Sequence, residues 1–116
     1  MNRLALGAAL TGFGGVALGA FGAHGLALGV EAADWWQTAT LYALVHAAAA
    51  LAIAMSGRTG LVRLGGWAFI LGVLVFSGCL YAMAIGAPRW LGAIVPLGGL
   101  SFLAGWALVA AGATRR

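Results

Sequence analysis

Six polar side chains in this chain have the types and spacing to do chemistry: His24, Thr38, Tyr42, His46, Ser77 and Tyr81. Imidazole can carry protons near neutral pH and is the commonest ligand for metals and haem. Hydroxyls at Thr38, Tyr42, Ser77 and Tyr81 could extend such a site or line a path for a small solute. Thr38, Tyr42 and His46 recur every four residues, as do Ser77 and Tyr81, so each set projects from one side of a helix. Nucleophilic catalysis finds no support, because a Ser or Cys nucleophile needs a base oriented by a third group and no carboxylate accompanies these residues. Cys79 is the only cysteine, which excludes an internal disulfide and a multi-cysteine metal site. Axial haem ligands must meet one iron at the same depth, and His24 and His46 are offset by roughly 8 Å on straight helices. The reading is therefore no catalytic set, no metal and no cofactor, with the six residues forming at most a polar pocket.

The elements that position these residues follow from charge. All eight formal charges of the 116 residues fall between four uncharged stretches, Leu4–Val30, Trp35–Gly57, Leu64–Pro88 and Trp90–Thr114, of 27, 23, 25 and 25 residues. An α-helix needs about 20 apolar residues to cross a hydrocarbon core of roughly 30 Å. With 64% hydrophobic and 7% charged residues, the chain lacks the polar surface to wrap a water-soluble globule of this size. The expected fold is an all-α integral membrane four-helix bundle forming a single domain over 1–116, with spans at about 4–27, 35–56, 64–86 and 89–113. The first stretch is too long for the apolar region of a secretory signal and is read as a retained helix.

Arginines near span ends stay on the cytoplasmic side. With both termini inside, Arg3, Arg58, Arg63, Arg115 and Arg116 are cytoplasmic, and only Arg89 lies outside with Glu31 and Asp34. The net charge of +4 is scattered over loop ends, which argues against nucleic-acid binding. Asp34, three residues before Gln37, has the pattern of a helix N-cap, so the second span is expected to start near Trp35. Trp35, Trp36 and Trp90 then fall at the outer interface, where amphipathic rings settle. Pro96 lies inside the fourth span, where it should free the Gly92 carbonyl and kink the helix.

Counted at 1.5 Å per residue, His46 lies on the order of 16 Å from the outer boundary, Ser77 near its level and Tyr81 near that of Tyr42. The polar residues thus gather in the outer half as a candidate pocket around His46.

Helices in a bilayer associate through close packing, which favours small residues at contacts. Of 20 glycines, Gly15 and Gly22, Gly12 and Gly19, and Gly98, Gly105 and Gly112 recur every seven residues. The third span offers Gly65, Gly72, Cys79 and Gly86 at the same interval, and the second substitutes alanines. A seven-residue repeat holds a small-residue seam toward one partner. Such seams suit a tight bundle, and equally contact with a second copy of the chain or a larger membrane complex. The expected surroundings are a lipid bilayer.

Four segments carry a further signal: Gly19-Ala20-Phe21-Gly22-Ala23-His24-Gly25-Leu26; Trp36-Gln37-Thr38-Ala39 through Tyr42 to His46-Ala47; Phe76-Ser77-Gly78-Cys79-Leu80-Tyr81; and Val95-Pro96-Leu97-Gly98-Gly99 through Phe102 to Gly105-Trp106. In this order they resemble the family called domain of unknown function 423, the YgdD/YwdK-like small integral membrane proteins. The resemblance implies a four-span protein of the bacterial inner membrane, with no activity established for the family. By motif match, His24, Trp36, Tyr42, His46, Ser77, Tyr81 and Pro96 are family-type positions. Cys79 stands where Ser is usual and Val95 where Thr is usual, and both changes remove a hydroxyl from any polar track.

Two functions follow as expectations: a structural or accessory component of a membrane assembly, or a channel or transporter for a proton, small solute or lipid-like molecule.

Overall fold

The computed structural model describes residues 1–115; Arg116, counted above among the cytoplasmic arginines, lies outside them. The described elements are helical: α1 (Arg3–His24), α2 (Val30–Ser56), α3 (Leu61–Gly72), a π-helical turn (Val73–Ser77), α4 (Gly78–Ala84), a 3-10 turn (Arg89–Ala93) and α5 (Val95–Ala113). The turn and α4 continue α3 into one unit, so four helical units, Arg3–His24, Val30–Ser56, Leu61–Ala84 and Arg89–Ala113, are long and apolar enough to cross a membrane. Their 22 to 27 residues rise about 33–40 Å, enough to cross a hydrocarbon core of roughly 30 Å.

Helix ends follow local chemistry. Asn2 caps α1, its side-chain oxygen accepting from the Ala5 N–H at 3.0 Å, while its amide donates to the Ala54 carbonyl at 2.9 Å and ties the start of α1 to the end of α2. Gly57 closes α2 at φ 75° and Gly60 precedes α3 at φ 67°, left-handed conformations that only glycine adopts freely.

The start of α2 differs from expectation. The helix begins at Val30 behind Gly29, and Asp34 is an exposed residue within it rather than its cap. Glu31 supplies the negative charge that a helix start favours, so the chain gains an extra turn upstream of the Asp34 signal. Pro96 also differs. The fourth unit breaks at Ile94, between the 3-10 turn and α5, and Pro96 stands in the first turn of α5 instead of its interior. There its missing N–H is one the helix leaves free anyway, so it starts a helix and does not kink one.

α1 packs along α2, α2 along the third unit, and the third unit along α5. The middle two units bury far more of their surface than α1 and α5, which flank them, so the arrangement is skewed rather than a closed square. The main apolar core joins Leu4, Ala50, Ile53, Val62, Phe69 and Ile70 near the arginine-rich end, and Ala43, Val73 and Phe102 form a smaller one.

Glycines permit close backbone approach between the third unit and α5. A Cβ at Gly65 would lie 2.8 Å from the Gly105 carbonyl oxygen, and one at Gly98 would lie 2.5 Å from the Phe76 backbone nitrogen. The seven-residue interval does not run on through the third unit, because the π turn inserts a wider winding after Gly72. Gly86 falls in the following turn at φ 114° with nothing near it.

Candidate functional site

His46 is the most constrained of the six candidates. It is 5% exposed, on the face of α2 that meets Phe69 of α3 and Phe102 and Trp106 of α5. The Trp106 indole donates to Nε2 at 3.1 Å, and Nδ1 lies 2.8 Å from the Tyr42 carbonyl. An indole N–H is a donor only, so Nε2 must accept and the ring proton must sit on Nδ1, where it donates to that carbonyl. Both nitrogens are thereby engaged and no lone pair is free for a metal or haem. The ring also stacks on Phe102 with centroids 3.8 Å apart, while Tyr42 stacks beyond it at 6.0 Å. Beside this cluster an open groove of about 590 Å³ runs between α2 and α5, walled by Tyr42, Phe76, Pro96, Leu100, Leu103 and Trp106.

The remaining candidates do not converge on His46. Ser77 is 1% exposed and donates to the Ala39 carbonyl at 2.7 Å. Ala39 is seven residues from His46, about 10 Å along the helix. Tyr81 shares a 2.6 Å hydrogen bond with Thr40 and packs edge-on against Trp36 at 4.5 Å. Thr38 is exposed, and so is His24 in the last turn of α1. The expected common level of Ser77 and His46 is therefore corrected by about two turns. That estimate aligned Trp35 with Gly86, whereas the earlier start of α2 brings its Val30 end opposite the end of α4.

Trp36 also departs from expectation. It is 5% exposed and donates its indole N–H to the Leu18 carbonyl at 2.7 Å, beneath Gly22, whose missing side chain makes room for the ring. It belongs to the packing of α1 on α2 and not to an interfacial belt; Trp35 and Trp90 remain at the end of the array. Spacing alone missed Trp106, Phe102, Thr40 and Phe69 as neighbours of the candidates. One signal was available: an indole N–H in an apolar span needs an acceptor, and the sequence holds few side chains able to supply one.

At the tryptophan end, Arg89 donates to both Glu31 carboxylate oxygens, at 2.8 and 3.1 Å, and lies 5.1 Å from the Trp35 ring centroid. The pair links the start of α2 to the start of the fourth unit, but both side chains are more than half exposed. Exposed pairs contribute little and are screened by salt. Glu31→Gln is expected to leave the melting temperature in mild detergent nearly unchanged, with any small loss vanishing in high salt; a large salt-independent drop would contradict this.

Comparison with known proteins agrees with the geometry of four apolar helices. A family model described as a protein of unknown function (DUF423) matches residues 18–99. The chain is 44% identical to the UPF0382 inner membrane protein YgdD of Escherichia coli K12 over 113 residues, 93% of this chain and 86% of that protein. A UPF0382 membrane protein of Haemophilus influenzae is 44% identical over 108 residues, 90% of this chain and 87% of its own. UPF0382 membrane protein SSP2132 of Staphylococcus saprophyticus is 41% identical over 108 residues, 90% of each chain. No solved structure matches. Four membrane-length helices and family-level identity along nine-tenths of the sequence lead to one conclusion: this chain belongs to the DUF423 family of UPF0382 membrane proteins.

Proposed function

We infer that the protein is a non-enzymatic structural or accessory component of the bacterial inner membrane, acting through helix contacts with a second copy or a larger membrane complex. The observation that carries this reading is that the buried polar side-chain atoms among the described residues all have hydrogen-bond partners within the chain. Ser77 and Ser101 donate to carbonyls of neighbouring helices, and His46 is held at both nitrogens. Groups satisfied in this way fasten helices together. The glycine positions Gly12, Gly15, Gly19 and Gly22 on α1, Gly72 on α3, and Gly98, Gly105 and Gly112 on α5 serve as the seams of the bundle.

Orientation with both termini in the cytoplasm rests on the arginine bias. The large apolar side chains left exposed on α1 and α5, among them Phe13, Val16, Leu100 and Leu103, offer surface for lipid or for a neighbouring helix. The alternative, passage of a proton or small solute around His46, draws less support, since Ser77, Tyr81 and His24 lie apart from it. A lipid-like molecule fits the apolar groove better than an ion does.

Particles extracted with their native lipids are expected to contain a second copy or a stoichiometric partner, and purified protein in liposomes is expected to add no proton flux. A strictly monomeric, partnerless particle would overturn the accessory reading, and a flux abolished by a folded His46 variant would establish the alternative.

A further inference from the structure

The four described arginines other than Arg89 gather at one end of the array. Arg3 opens α1 beside Asn2, which bonds to the end of α2; Arg58 lies in the link after α2; Arg63 opens α3; Arg115 follows α5. Both acidic side chains of the sequence, Glu31 and Asp34, are at the opposite end of α2. Four guanidinium groups therefore share one rim of the membrane-spanning unit with no carboxylate side chain among them.

Within that rim lies a cavity of about 390 Å³, bounded by Gly57, Arg58, Thr59, Gly60, Gly112 and Arg115. Arg58 is anchored at its edge by donation from Nη2 to the Gly112 carbonyl at 2.8 Å, which fixes one nitrogen and leaves the other donors of the fork available. A Cβ at Gly57 or Gly60 would meet nothing within 4 Å, so the floor of the link is open and its backbone can be approached closely. Planar guanidinium groups suit phosphate oxygens in geometry as well as charge. At the end of a membrane span, the phosphates standing at this level are those of lipid headgroups, and basic pockets between transmembrane helices bind anionic ones.

We propose that the cavity between the α2–α3 link and the end of α5 is a site for the phosphodiester headgroup of an anionic phospholipid, held by Arg58 and Arg115. Neutral, zwitterionic headgroups carry their own ammonium and gain less from an arginine rim without acidic side chains. The site is independent of what the apolar helix faces contact.

The test uses the full chain in bilayer discs of phosphatidylcholine doped with phosphatidylglycerol, then counts lipids retained after transfer to mild detergent by native mass spectrometry. The wild type is expected to retain phosphatidylglycerol in preference to phosphatidylcholine. Arg58→Gln with Arg115→Gln is expected to lower retention about twenty-fivefold, from roughly fivefold for each arginine. Arg115→Gln alone, which removes no hydrogen bond of Arg58, is expected to lower it about fivefold. Arg89→Gln, at the other end, is expected to change nothing. Equal retention of the two lipids, or retention by Arg115→Gln equal to the wild type, would overturn the proposal. So would millimolar inorganic phosphate that displaces phosphatidylglycerol completely, since the cavity would then be a site for free phosphate and not for a headgroup.

Discussion

Gly98→Ala is expected to destabilise the folded chain by about 1–3 kcal/mol, the usual range for forcing a methyl into a packed interior. Its next neighbour in sequence, Gly99→Ala, is expected to be neutral. A Cβ at Gly98 would sit 2.5 Å from the nitrogen, 2.7 Å from the Cβ and 2.8 Å from the Cα of Phe76. Two of those atoms are backbone, so no change of rotamer relieves the clash and α5 must move away from the third unit. That displacement would also loosen the second close approach, between Gly65 and Gly105. At Gly99 nothing lies within 4 Å, and alanine loses less backbone entropy on folding than glycine does. Equilibrium unfolding in mixed micelles, followed by tryptophan fluorescence, reads the difference. Equal stability of the two variants would remove the argument that backbone contact joins α5 to the third unit.

His46→Ala is expected to cost about 2–4 kcal/mol, in the range for truncating a large buried side chain, whereas His46→Leu is expected to cost under about 1.5 kcal/mol because it conserves most of the volume. The imidazole is wedged between Phe69 and Phe102, so truncation opens a cavity beside both rings. Its hydrogen bonds contribute less, since those between transmembrane helices average about 0.6 kcal/mol. The same geometry makes a spectroscopic prediction at neutral pH: nitrogen NMR of labelled histidine should show His46 with Nδ1 protonated and Nε2 bare. The opposite tautomer would contradict the assignment of the Trp106 indole as donor to Nε2, and a His46→Leu variant as unstable as His46→Ala would show that the lost hydrogen bonds, and not the lost volume, set the cost.

The four apolar units were legible because lipid imposes a length and forbids unpaired charge. Counting between arginines and acids was enough to find helices within a few residues of Arg3–His24, Val30–Ser56, Leu61–Ala84 and Arg89–Ala113. The boundary errors were consequential. Asp34 carries a sound capping pattern, yet helix starts compete, and Gly29 with Glu31 one turn earlier prevailed. That turn displaced the boundary from which depth was counted, and with it the level expected for Ser77, which meets Ala39 and not His46.

Trp36 shows a second limit. An aromatic beside a charged loop fits the interface or the interior equally well by composition, and its burial depended on Gly22 standing opposite, on another helix.

The amino-acid order carries the number of helices long and apolar enough to cross a membrane, their approximate lengths, the end of the array where positive charge gathers and the family, because each reflects local chemistry or linear spacing. Which side chains meet was settled by packing: His46 with Trp106 across 60 residues, Ser77 with Ala39 across 38, and Arg58 with Gly112 across 54. Such pairs depend on the relative slide and rotation of whole helices. A π turn or a one-turn change at a helix end alters both, and nothing in the spacing of a single segment reports them.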